Sequence, residues 1–188
     1  MTSSPNRLGA VLLGALGLAY PFVVYGALGR VPAGALALVA VALAAARLGL
    51  LRRSPLAGAL VPPVAAVAVA TAALALADGR TAALAYPVLM SLGMAAAFGL
   101  SLRRGPTLIE HFARLAEPDP GPAARAYMRN VTRVWFVFLL GNAAVSAATA
   151  ASGDLALWTL YNGLLSYLLM AALFTAEYGV RTWLRRRA

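Results

Sequence analysis

Only one stretch of this chain is polar enough to offer chemistry. From Arg103 to Trp135 it reads RRGPTLIEHFARLAEPDPGPAARAYMRNVTRVW, with six of the sixteen arginines, three of the six acids and the single histidine. His111 is a poor metal ligand, because a zinc site takes about four N, S or O ligands and no Cys or second His accompanies it. As a general base it lacks a nucleophile close to it in sequence. The chain has no cysteine, hence no thiol nucleophile, disulfide or cysteine metal site. The expectation is a solvated or interfacial histidine, no catalytic residue, no metal and no cofactor, and a non-enzyme rather than an enzyme.

The arginines offer more. Arg125, Arg129 and Arg133 recur every four residues and so share a helix face. With Arg103 and Arg104 they form a candidate guanidinium cluster at a membrane surface. Planar guanidinium forks match phosphate and carboxylate oxygens. The cluster therefore suits a lipid phosphate, a phosphopantetheine-type arm or a partner protein. The blander account is topogenic charge meeting anionic lipid headgroups, about 1 kcal/mol per arginine. Arg129, within a turn of Asn130 and Thr132, is the best placed for a specific contact.

The elements that position these groups follow from local pattern. Thr107 to Glu110 fits a capping box. Leu108, Ile109, Phe112 and Leu115 then share an apolar helix face, with Glu110, His111, Arg114 and Glu117 on the polar one. This amphipathic helix suits the membrane interface or the end of a helix bundle. Glu110 and Arg114 are an i,i+4 pair. Glu117 to Gly121 turns the chain, and Pro122 opens a second helix that leads into the next apolar run. Segment 103–133 is thus a cytoplasmic amphipathic helical hairpin.

Everything else is hydrocarbon. The chain is 62% hydrophobic and 12% charged, with a mean hydropathy of +0.78; soluble domains are nearer 25% charged. Six runs approach the roughly 20 apolar residues a spanning helix needs: 8–28, 33–51, 56–77, 82–102, 134–151 and 155–178. The expected fold is one all-α, six-span integral membrane domain. The first run reads as a retained helix, being longer than a signal-peptide core. Arg47, one turn from the end of the second run, is expected to snorkel to the headgroups. With both termini on one side, fourteen arginines lie there and only Arg30 and Arg80 opposite. That bias puts the termini and segment 103–133 in the cytoplasm. The net +10 thus points to a membrane, not to nucleic acid.

A few polar residues interrupt the last two runs. Asn142, Ser146 and Thr149 fall near one face; Asn162, Ser166, Thr175 and Glu177 mark the next run. Asn142 and Asn162 are expected to face the bundle interior, as helix–helix glue or as a polar lining for a substrate headgroup. Glu177 precedes Arg181 by one turn, which predicts an interfacial ion pair. Pro21, Pro62, Pro63 and Pro87 should kink their helices. Ala19-Tyr20-Pro21 recurs as Ala85-Tyr86-Pro87. Small residues four apart, Ala10/Gly14, Gly93/Ala97 and Ala95/Gly99, permit close helix approach.

Several of these words resemble a known family. Pro106-Thr107-Leu108-Ile109-Glu110 with Phe112-Ala113-Arg114, Tyr127-Met128-Arg129 with Val131-Thr132 and Trp135, Tyr161-Asn162-Gly163 with Ser166-Tyr167, Glu177, and Tyr20-Pro21 look like those of small uncharacterised bacterial inner-membrane proteins. Their genes sit among acyl carrier proteins, ketosynthases and acyltransferases of aryl-polyene-type clusters. Arginine is usual in that family where this chain has His111. The resemblance implies context: a non-enzymatic accessory protein of the inner membrane, supporting synthesis or membrane delivery of a lipid-like product and meeting acyl-carrier or acyltransferase-type partners. The alternative is a small lipid or amphiphile transporter with its polar site near Asn142 and Asn162.

Overall fold

The computed structural model describes residues 5–115 and 118–185. The side chains of Arg104 and of several residues near the two ends, Arg7 and Arg185 among them, lie outside the described set, as do Glu117, Arg186 and Arg187. The chain is helical throughout: α1 Pro5–Ala27, α2 Ala33–Leu51, α3 Ala57–Ala77, α4 Gly79–Arg104, α5 Leu108–Arg114, α6 Pro122–Ala151, α7 Leu155–Leu160, a π-helical turn Tyr161–Leu165, and α8 Ser166–Arg185. Among the described residues five stretches are long and apolar enough to cross a membrane: α2, α3, α4, α6 and the continuous 155–183 run. Val11–Ala27 of α1 is a shorter apolar helix. This is the architecture of a multi-pass helical membrane protein.

Side-chain placement agrees with hydrocarbon outside. Leu76 is 91% exposed, and Val11, Leu38 and Val69 are also well exposed. Meanwhile Asn142, Ser146, Asn162 and Ser166 are buried. In water that arrangement would be inverted; in lipid, polar groups need partners inside the bundle.

Helix α4 is the hub, packing most extensively on α6 and α3. Glycines permit it. A Cβ on Gly93 would lie 2.5 Å from Val67 Cγ2, and one on Gly99 would lie 2.8 Å from the Phe136 ring. Ala95 and Ala97 are buried beside them. Gly14, by contrast, has open space where its Cβ would be, so it marks no close approach. Asp78 starts α4 by accepting from the backbone N–H groups of Arg80 and Thr81, satisfying two orphan donors of its first turn.

Three expected boundaries move. α4 begins at Gly79 and runs to Arg104, so the stretch between bundle helices shrinks to 105–121. α6 is one 30-residue helix from Pro122 through the fifth apolar run. The last run is not a uniform helix to Tyr178: a π turn interrupts it, and α8 continues to Arg185. The wider turn carries three consecutive residues, Tyr161, Asn162 and Gly163, all buried. A regular α-helix would have rotated one of them outward. Gly163 fits because a Cβ there would lie 2.8 Å from the Phe22 ring.

Helix α5 closes one end of the bundle. Leu108 is fully buried in a cluster with Leu56, Phe98, Val131 and Trp135, and its backbone N–H donates to Ser101 Oγ at 3.0 Å. Ile109 is half-buried, while Phe112 and Leu115 are exposed. Glu110, assigned by pattern to the polar face, is buried. The helix is only seven residues long and docks by its first turn, so the face test that suits a longer amphipathic helix misassigns it.

Candidate functional site

The expected polar residues of the last two runs do come together, in two linked groups. Asn142 Nδ2 donates to Ser91 Oγ at 2.9 Å, and Tyr161 donates its hydroxyl to Asn142 Oδ1 at 2.9 Å. One residue on, Ser146 donates to Asn162 Oδ1 at 2.6 Å. Asn162 Nδ2 donates to the Trp158 carbonyl at 2.9 Å and, at 3.4 Å, to Thr149 Oγ1. Ser166 makes a long bond to the Asn162 carbonyl. This seam stitches α4, α6 and the π turn. Asn162 spends both donors and its amide oxygen on protein, and Asn142 one donor and its amide oxygen, which leaves little capacity for a substrate headgroup. Ser91 and Tyr161 are the partners that sequence reading missed; inward asparagines demand partners, but pattern alone does not say which helix supplies them.

Glu177 does not pair with Arg181. Tyr127 is its neighbour, with the hydroxyl 3.5 Å from Oε1 and 3.4 Å from the Glu177 carbonyl. Thr175 is exposed and bonds back to its own helix.

The loop arginines disperse. Arg129 donates to the Leu102 carbonyl at 2.8 Å, satisfying an orphan acceptor at the end of α4. Arg125 donates to the Pro120 carbonyl at 2.8 Å and meets Asp119 at 3.4 Å. Arg133 donates to Asn130 Oδ1 at 2.9 Å. Arg103 is exposed. Arg114 holds Glu110 through Nε and Nη2, at 3.2 and 2.7 Å. His111 Nδ1 donates to the Thr107 carbonyl at 3.1 Å, since a carbonyl only accepts. Among the described residues no group of three His, Cys, Asp or Glu can hold a metal.

The proline helices hold what sequence reading did not foresee. Proline at position i leaves the carbonyl of i−4 without its donor. For Pro87 that carbonyl is Ala83, and Tyr20 of α1 donates its hydroxyl to it at 2.9 Å. For Pro21 it is Gly17, and Tyr167 of α8 donates to it at 3.2 Å. The two Ala-Tyr-Pro phrases meet here, with Tyr20 and Tyr86 edge to face at 5.0 Å. Trp158 Nε1 donates to the adjoining Leu84 carbonyl at 3.1 Å.

Arg47 joins this cluster instead of snorkelling. Its Nη2 lies 2.0 Å from where a Gly17 Cβ would stand, and its guanidinium carbon is 6.0 Å from the Tyr86 ring centre. Beside it, between α1 and α2, runs an open apolar groove of about 340 Å³, whose walls include Leu13, Leu16 and Tyr20 opposite Ala42, Leu43 and Ala46. No protein-family model, curated protein or solved structure matches this chain.

Proposed function

We propose that this chain is a six-span protein of the bacterial inner membrane, with both termini and the 105–121 connection cytoplasmic. It acts as a non-enzymatic accessory protein that holds a lipid-like amphiphile during its synthesis or delivery to the membrane. The observation that carries this reading is the groove between α1 and α2. At about 340 Å³ it falls at the small end of ligand-sized pockets, about 300–1,000 Å³. Its walls are apolar, so it takes hydrocarbon and offers little to a polar solute. The arginine bias supports the orientation, and α1 supplies the sixth span by adding its first residues to Val11–Ala27. Acyl-carrier or acyltransferase-type proteins are the partners the sequence resemblance implies, with anionic lipid at the arginine-bearing surface.

A transport path by way of Asn142 and Asn162 is less well supported, because those amides are spent within the seam.

The test is co-purification. The protein is isolated from its own membrane in mild detergent, and bound small molecules are extracted and identified by mass spectrometry. Ala42→Phe, which fills the groove from an exposed position, should remove a specific amphiphile while leaving the thermal unfolding midpoint in place. An identical extract from both proteins sinks the proposal.

A further inference from the structure

Among the described side chains, Arg47 is the one arginine drawn in against the interior of the bundle. The Cα–Cβ bond of a helical residue tilts toward the helix N-terminus, so from near the end of α2 its long side chain reaches back along the bundle. It arrives at Gly17, ten residues before the end of α1 at Ala27, about 15 Å along the axis. The hydrocarbon core is about 30 Å thick, so the guanidinium sits near mid-depth. A charge there is expensive and marks a functional site by default.

No counter-ion meets it. Of the five acids with described side chains, Asp78 and Asp154 cap helices. Glu110 and Asp119 pair with Arg114 and Arg125. Glu177 lies by Tyr127. Among the described residues Arg47 meets the Tyr86 ring at the outer limit of cation–π distance, about 6 Å, and lies within Coulombic reach of Tyr167. A guanidinium has five N–H donors, and none finds an acceptor among the described residues. Yet the side chain is only half-buried, so those donors remain reachable. Beside it the Tyr86 hydroxyl is buried with no hydrogen-bond partner, within Coulombic reach of both Arg47 and Tyr167. Two sets of unused donors therefore share one place.

The groove passes beside that place: along α1 its wall includes Leu13 and Leu16 on one side of Gly17 and Ala19, Tyr20 and Val23 on the other, and on α2 Leu43 and Ala46 precede Arg47. We propose that Arg47 is an intramembrane anion site for the carboxylate of a single-chain acyl amphiphile whose tail fills the α1/α2 groove. The proposal rests on the reading that this groove holds a hydrocarbon chain, and adds the head group. One carboxylate oxygen pair matches the guanidinium fork. Depth selects the carboxylate over an alkyl phosphate. A carboxylic acid can enter hydrocarbon neutral and, once against the guanidinium, release its proton to the aqueous phase, whereas an alkyl phosphate stays charged and belongs at the interface.

The experiment uses the full chain in phosphatidylcholine nanodiscs with diazirine-bearing dodecanoic acid, its methyl ester, and the matching dodecyl phosphate. Adducts on α1 and α2 peptides are quantified by mass spectrometry. The acid should label these helices about tenfold more than the ester, the ratio a charge-assisted hydrogen bond supplies. Arg47→Gln should bring the acid down to the ester's level and leave the ester unchanged, while Arg47→Lys keeps part of the preference. Equal labelling by acid and ester in the wild-type protein, a comparison that needs no variant, overturns the anion site but leaves the groove reading standing. Absence of α1/α2 labelling by all three overturns both. Preferential labelling by the phosphate overturns the carboxylate assignment.

Discussion

Tyr20 and Tyr167 each donate to a carbonyl that a proline four residues later has left without its helical partner. A buried acceptor stripped of its only donor costs about 1–3 kcal/mol, so Tyr20→Phe and Tyr167→Phe should each lower the unfolding midpoint in detergent. The account is sharper than a simple loss. In a Pro87→Ala background residue 87 regains its N–H, and Ala83 regains its helical donor. Tyr20→Phe should then be nearly neutral, and a double-mutant cycle measured by thermal unfolding should show coupling of about 1 kcal/mol. Additive losses would mean that Tyr20 matters only through ring packing on Tyr86. This arithmetic was half legible in the sequence. The proline gaps can be counted from Pro21 and Pro87, and the repeated Ala-Tyr-Pro phrase is visible. Which tyrosine fills which gap is a matter of helix adjacency, which one sequence does not carry. Asn142 and Asn162 were readable as inward-facing because an amide in hydrocarbon needs a partner. Ser91 and Tyr161 were not, since a lone hydroxyl in an apolar run has no such demand. Arg47 was misread because its position near a helix end predicts snorkelling, whereas its side chain follows the direction of the Cα–Cβ bond.

Among the elements, α4 shows how small residues set helix spacing. Gly93→Ala would drive a methyl toward Val67 Cγ2, and overpacking of this kind costs about 1–3 kcal/mol. Gly141→Ala on α6 meets open space and should be neutral or stabilising by up to about 1 kcal/mol, the propensity difference between the two residues. Unfolding midpoints of the two variants should therefore move in opposite directions or differ plainly. The spacing of small residues separated the two, since Gly93 is four from Ala97 whereas Gly141 has Val137 and Val145 at that spacing; the same rule misplaced Gly14, which has open space. The long apolar helices themselves were legible from length and hydropathy alone. The π turn was not: Tyr161, Asn162 and Gly163 look like any helical triplet until all three must face inward. The short α5 was found through its Thr107 cap and apolar stripe, but Glu110 went to the wrong face.

For the whole molecule, the distribution of arginine makes the firmest prediction. Reporter fusions at Gly79 and Gly153 should read periplasmic, and those at Gly105 and Ala188 cytoplasmic. A cytoplasmic signal at Gly153 would remove the six-span arrangement. The same chain-wide view gives the proline gaps a history. Gly17 and Tyr167 are 150 residues apart. At a synthesis rate of about 5–20 residues per second, the Gly17 carbonyl waits roughly 8–30 s between its own emergence and that of its donor. Arg47 is made only 30 residues after Gly17, within the first few seconds of that wait. The early helices are therefore provisional until the last one arrives, and the tyrosine that closes the Pro21 gap acts as a latch set at the end of assembly.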